Sequence, residues 1–273
     1  MPINDLLKAL AVLNKYLPNP KELVEILTSY GISDAVIRLL LVHSSKPKYA
    51  MAMTAFRRPG YFREVLFTLA NNTGLEDYVL HFGLEPVTPE VLEVARSVQF
   101  MPTVLTINSH SLGVTENPYE LLKRVFETTD VPAVLYLEDD VILAPDAVRL
   151  ATWYFQHPER NNYLCLNLYN ENSQADADPT TLVASNKFKA LAVGITREQW
   201  EKYFKDGWHK DPQGWDWSMI AIAKEVPVLT PCISRSHHIG REHGMYYDAS
   251  KHDAMYCQNP MCTQPASEFR IVN

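Results

Sequence analysis

The sequence predicts an α/β fold in which a mostly parallel central sheet is flanked by helices on both faces. Short runs of apolar and β-branched residues alternate with amphipathic segments of about ten residues, the pattern of repeated strand-helix units. The runs are apolar along their whole length, unlike a strand with one wet face, so each is expected to be covered on both sides. With 273 residues, 47% of them hydrophobic, the chain can bury one substantial core and a small accessory unit.

Residues 3 to 41 read as two or three short helices. These are INDLLKALAVLNKYL, then PKELVEILTSYG with Pro20 at its start and Gly31 at its stop, then SDAVIRLLL capped by Ser33. The reading places an N-terminal helical extension at 1–46 and the main domain at 47–273. YAMAMTAF reads as the first strand, and RRPGYFREVLFTLA switches to helical spacing through Tyr61, Phe62, Val65, Leu66 and Leu69. DYVLHFGLE is a second strand, followed by a helix from Pro89 to near Val98. TVLTIN is a third, leading to the helix PYELLKRVFE, and AVLYL is the fourth. After Pro145 come a helix (AVRLATWYFQ), a strand (YLCLNLY), a polar loop (ENSQADADPTT), a strand-like KALAVGI and the helix REQWEKYFK, with Thr196 as its cap.

The net charge of -7 and the absence of any Lys/Arg block argue against nucleic-acid and anionic-membrane partners. Asp5, Lys8, Lys15, Lys21, Glu22 and Glu25 interrupt the first thirty residues, so no signal peptide or spanning segment can be placed there. A soluble, cytoplasmic protein is expected. Four cysteines are too few for a disulfide scaffold.

The strand AVLYL ends in Glu138-Asp139-Asp140. Open α/β sheets bind ligands at the carboxyl ends of their strands, and three adjacent acids repel one another. A hard cation shared with a substrate's phosphates offsets that cost. There is no P-loop and no GxGxxG, so phosphate would be held by metal, loop donors or a basic side chain; Arg57 and Arg58 stand at the first strand-to-helix junction. In GWDWSM, Asp216 lies between Trp215 and Trp217: indoles stack on sugar faces, and a carboxylate beside them can accept a proton from an incoming hydroxyl. The same residues also fit core anchors and a helix cap. The stretch PCISRSHHIGREHGMYYDASKHDAMY, rich in histidine, reads as too polar for core and as a loop closing over a charged ligand, bent at Gly240 and Gly244. Cys232, Cys257 and Cys262 with His252 or His237 form a candidate structural zinc set, against the alternative of reduced thiols.

LEDDVILAPD resembles the metal-binding element of the N-acetylglucosaminyltransferase I family and of its relative, the protein O-mannose β-1,2-N-acetylglucosaminyltransferase. Three further stretches resemble that family in the same order: NLYNENS, KALAVGITREQW and ISRSHHIGREHGMYYD, over roughly residues 48 to 255. The resemblance implies a GT-A fold and Mn²⁺-dependent (or Mg²⁺-dependent), inverting transfer of N-acetylglucosamine from a UDP-sugar to a glycan acceptor. It implies that Asp140 binds the metal directly and Asp139 through water, that Glu138 holds ribose or sugar hydroxyls, and that Glu85 contacts the uracil. Arg57 or Arg58 would meet the diphosphate, and His243-Gly244 and Asp248 would belong to a loop ordered by donor. Asn170 and Glu171, in the NLYNENS match, and the two tryptophans are candidates for sugar contact. The chain departs from the family at the base: the ungapped match puts Ser218 there, with Asp216 two residues earlier. Either Asp216 takes the role through a small shift, or the base lies elsewhere, at Glu171 or Asp211. No membrane anchor of the family's kind is read. A non-catalytic glycan- or nucleotide-sugar-binding protein on a degenerate fold, and a nucleotidyltransferase, are the competing functions.

Overall fold

The computed structural model describes residues 28, 29, 31, 47–208, 214–242 and 249–272. Apart from Thr28, Ser29 and Gly31, the expected N-terminal helices fall outside the described residues, as do His243, Gly244, Asp248, Asp211 and the side chain of Trp217.

Strands β1 (Tyr49–Ala55), β2 (Tyr78–Leu84), β3 (Thr103–Ile107) and β4 (Ala133–Glu138) match the four predicted runs. They are parallel, in the spatial order β4-β1-β2-β3. The register sets Ala55 opposite Leu84, Leu84 opposite Ile107 and Thr54 opposite Glu138, so the carboxyl ends of all four strands share one edge. Beyond β4 the sheet is mixed. β8 (Val193–Thr196) pairs antiparallel with β4 and with β6 (Leu166–Asn167), and β9 (Val228–Pro231), β7 (Thr181–Ser185) and β11 (Arg270–Val272) complete nine strands. The strand read in KALAVGI starts only at Val193, because Ala192 sits at a left-handed φ of 68° that turns the chain into β8.

Period-2 alternation divides each central strand between two cores. Met51, Met53, Leu135 and Leu137 face one side, against α1 (Pro59–Ala70), α2 (Pro89–Arg96) and α4 (Ala147–Gln156). Ala50, Ala52, Val134 and Tyr136 face the other, against α3 (Gly113–Thr128), the helical segment α5 running through Arg197–Gln199 and Trp200–Phe204, and α6 (Asp216–Ala223). Helix α3 begins five residues before the predicted Pro118, which it accommodates inside the helix. Thr196 caps α5 with a capping box closed by Gln199. A second small sheet pairs β5 (Val141–Leu143) antiparallel with β10 (Ser236–His238), and α7 (Ala249–Tyr256) follows. Among the described residues no helix is long and apolar enough to cross a membrane.

The expectation that the stretch after Pro231 is too polar for core is corrected. Ser234, Arg235 and Ser236 are at most 1% exposed, because each polar group finds a partner. The Arg235 guanidinium donates to Asp146 Oδ1 at 2.9 Å and Oδ2 at 3.3 Å, and to the carbonyls of Ile233 and Pro179. Asp146 also accepts from the backbone N–H of Ala266 at 3.0 Å. The acid of the PD pair and the arginine of the SRS stretch are therefore one buried ion pair, which pins β5 against β10.

Candidate active site

Alternation at the end of β4 sends its acids in different directions. Glu138 follows Tyr136 toward the α6 side: the Tyr136 hydroxyl lies 2.9 Å from Thr54 Oγ1 and donates to Glu138 Oε1 at 3.3 Å, and its ring meets Trp215 edge-on. Asp139 turns toward α1, accepting from the Phe56 N–H at 3.2 Å and from Arg58 Nη2 at 2.7 Å. Arg58 reaches Asp140 Oδ2 through Nη1, also at 2.7 Å, so one guanidinium spans both aspartates. Arg57 is exposed, with its guanidinium over the Phe56 ring.

Pairing of β5 with β10 brings in a residue to which the sequence assigned no role. His238 stands opposite Val141, and its Nε2 lies 3.2 Å from Asp140 Oδ2. The Ile239 N–H donates to the Asp140 carbonyl, which draws Gly240 so close that a Cβ there would lie 2.2 Å from Asp140 Oδ2. The only sequence signal was the HH-x-G within the histidine-rich stretch.

The acids differ in proton affinity. Burial, then the charges of Asp140 and Asp139, push Glu138 well above the carboxylate range. Burial also raises Asp139 to about 6, against the pull of Arg58. For Asp140, burial is outweighed by His238 and Arg58, which hold it at about 2. Asp140 is thus an anion at neutral pH. Its Oδ1 and His238 Nδ1 are buried without a hydrogen-bond partner among the described residues. With Nε2 donating to the carboxylate, Nδ1 of a neutral ring carries a lone pair. An unpartnered carboxylate oxygen beside the excess negative charge of Asp139 and Glu138 fits a divalent cation such as Mn²⁺.

The other predicted site residues are dispersed around this centre. Glu85 continues β2 and is buried, its carboxylate accepting from the N–H groups of Leu112 and Gly113 at 2.8 and 2.7 Å, at the start of α3. An open cleft of about 470 Å³ adjoins it, lined by Asn108, His110, Leu112 and Arg124 among others. Asp216 is the first residue of α6, folded back over Gly214, and its charge is felt at Glu138. Trp215 is 2% exposed, stacked on Trp208 and edge-on to Tyr136 and Phe188; it is a core anchor with no open face for a sugar. Asn170 shapes its own loop, donating to the carbonyls of Pro231 and Cys232, and Glu171 pairs with Lys187. Cys232, Cys257 and Cys262 do not converge on a metal set among the described residues: Cys262 donates to the Gln264 carbonyl, and Cys257 to Asp253.

No family model matches the sequence, and no curated protein matches it. Among solved structures the chain is similar to the mannosyltransferase PcManGT from Pyrobaculum calidifontis in complex with GDP-Man and Mn²⁺. That match has 12% identity and a TM-score of 0.50, and covers 83% of this chain and 69% of that one. It is also similar to residues 1–349 of S. aureus TarS in complex with UDP-GlcNAc, at 9% identity and a TM-score of 0.53. This match covers 72% of the chain and 60% of the TarS chain, so the chain spans less than two thirds of that relative. The chain has the GT-A fold. At these identities the likeness speaks for the fold alone. In GT-A terms, the edge carrying Glu85, Glu138, Asp139 and Asp140 is the carboxyl edge of the parallel half-sheet.

Proposed function

We propose that the chain is a metal-dependent, inverting glycosyltransferase that moves a sugar from a nucleotide donor, with N-acetylglucosamine from UDP-GlcNAc as the first choice, to a hydroxyl of a glycan acceptor. The observation that carries the proposal is Asp140, held charged by Arg58 and His238 at the carboxyl end of β4 with one oxygen unpartnered among the described residues. The bound Mn²⁺ and UDP-GlcNAc of the similar structures support the donor class and the metal.

Asp140 would hold the cation directly, positioned by the His238 Nε2 bond to its other oxygen, and Asp139 through water. That cation supplies Lewis-acid neutralisation of the diphosphate as it leaves. Arg58, relieved of two carboxylates, is then free to turn to a phosphate, with Arg57 beside it. Glu138, oriented by the Tyr136 hydroxyl, would take the ribose or sugar hydroxyls. The cleft beside Glu85 gives room for the base, and His243 would add a contact to the donor. Asp216 would remove the proton of the acceptor hydroxyl as it attacks the anomeric carbon from the face opposite the diphosphate, giving inversion in a single displacement. Trp217, Asn170 and Glu171 would contact sugar, while Trp215 anchors the start of α6 in the core. In this reading residues 47–273 are the catalytic domain and 1–46 a helical extension, and the charged, net-acidic chain works in the cytoplasm.

The test is a screen of nucleotide sugars for hydrolysis or transfer with Mn²⁺ and with a chelator. Mn²⁺-dependent turnover with UDP-GlcNAc is expected. Donor binding with no turnover of any sugar would move the protein to the sensing class, and release of pyrophosphate would make it a nucleotidyltransferase.

A further inference from the structure

Away from the donor site, α7 assembles three chemically distinct ligands. His252 is 3% exposed, Asp253 lies at the surface edge and Cys257 is exposed, yet one ligand atom from each lies within 4.8 Å of the other two. His252 Nε2 is 3.1 Å from the carbonyl oxygen of His238, and only an N–H can satisfy that oxygen. The lone pair of a neutral His252 ring is therefore on Nδ1, which faces Asp253 Oδ1 at 3.5 Å. Oδ1 also accepts from Arg241 Nε at 2.9 Å and from the Cys257 thiol at 3.3 Å, so a cation seated between these atoms would replace the thiol proton and take the Nδ1 lone pair.

We propose that His252, Asp253 and Cys257 form a second metal site, for a thiophilic divalent cation of the Zn²⁺ class. One thiolate, one imidazole and one carboxylate are a zinc donor set, where the oxygen-rich donor site suits Mn²⁺. Tetrahedral bonds of about 2.0–2.3 Å require ligand atoms about 3.3–3.8 Å apart, so closing the site from separations within 4.8 Å takes a contraction of about 1.5 Å at most. On binding, the Cys257 thiol loses its proton to solvent and its sulfur bonds the metal. The His238 carbonyl orients the His252 ring from behind, and Arg241, which now donates to both oxygens of Asp253, would keep Oδ2, held at 3.0 and 3.1 Å, and give up its 2.9 Å bond to Oδ1 as that oxygen turns to the metal. Because His252 hangs from the backbone of His238, the bound ion braces α7 against β10, the strand that carries the partner of Asp140.

The experiment is a Co²⁺ titration of the full chain followed by absorption, with Zn²⁺ back-titration and thermal unfolding with and without Zn²⁺. Wild type and Asp140→Ala should each bind one Co²⁺ with a sulfur-to-cobalt charge-transfer band that Zn²⁺ abolishes, and Zn²⁺ should raise their unfolding midpoints. Cys257→Ser, at an exposed position, should lose the band and the midpoint shift. Absence of the band in wild type, or its persistence in Cys257→Ser, overturns the site. Cobalt binding lost in Asp140→Ala and kept in Cys257→Ser would overturn it too, and would assign the ion to the donor site.

Discussion

Replacing Asp146 by Ala should be among the most damaging single changes outside the acidic cluster. The substitution leaves the Arg235 guanidinium, 0% exposed, without its counter-charge, and strands the Ala266 N–H that the carboxylate accepted. Removing one partner of a buried ion pair costs about 3–5 kcal/mol, a large part of the roughly 5–15 kcal/mol that holds a domain folded. For a chain of this size each kcal/mol moves the thermal midpoint by roughly 2 °C, so a drop of roughly 6–10 °C is expected in calorimetry. Pairing Asp146→Leu with Arg235→Met should recover only part of the loss. It removes the buried charge but leaves the carbonyls of Ile233 and Pro179 without their donor. A midpoint within about 2 °C of wild type for Asp146→Ala would refute the claim that this pair pins β5 to β10.

Gly240→Ala places a methyl 2.2 Å from Asp140 Oδ2, so the carboxylate must move by about 1 Å; a displacement of that size should cut turnover by about 10²-fold, and unchanged turnover would mean that the carboxylate is not a ligand. Asp140→Ala should abolish the Mn²⁺ dependence of UDP binding, and calorimetry showing the same metal enhancement as wild type would remove Asp140 from the metal site. Asp216→Asn should lower turnover by roughly 10²-fold or more while donor affinity barely changes; near-wild-type transfer would hand the base role to Glu171 or Asp211.

The half-sheet and its acids were legible because their signals are local. An apolar run of five residues and the three acids after it announce a strand end and a charge problem without reference to the rest of the chain. Arg58 was visible as one of a pair, but the choice between neighbours depends on direction. The turn into α1 aims Arg58 at Asp139 and Asp140 and leaves Arg57 in solvent. Trp215 was ambiguous for a related reason: an indole serves a core or a sugar equally well until its neighbours are known, and here they are Trp208, Tyr136 and Phe188.

The C-terminal stretch could not be read in this way. Polarity marks a segment as surface only when its partners are unknown. Arg235 and His238 are buried because Asp146 and Asp140, far earlier in the chain, neutralise or hydrogen-bond them. The cysteines show the same limit. C-x₄-C spacing suggests a shared ion, yet the loop after α7 carries Cys262 into a small cluster with Ala144 and Ile233, and leaves Cys257 beside His252 and Asp253. Sequence alone determined the alternating strands, the two-sided burial of β1, β2 and β4 and the place where negative charge accumulates, since each follows from neighbours along the chain; β3, at the sheet edge, is largely exposed instead. Only the tertiary structure decided which side chains face that charge, because the pairing of β5 with β10 joins residues that no local pattern connects.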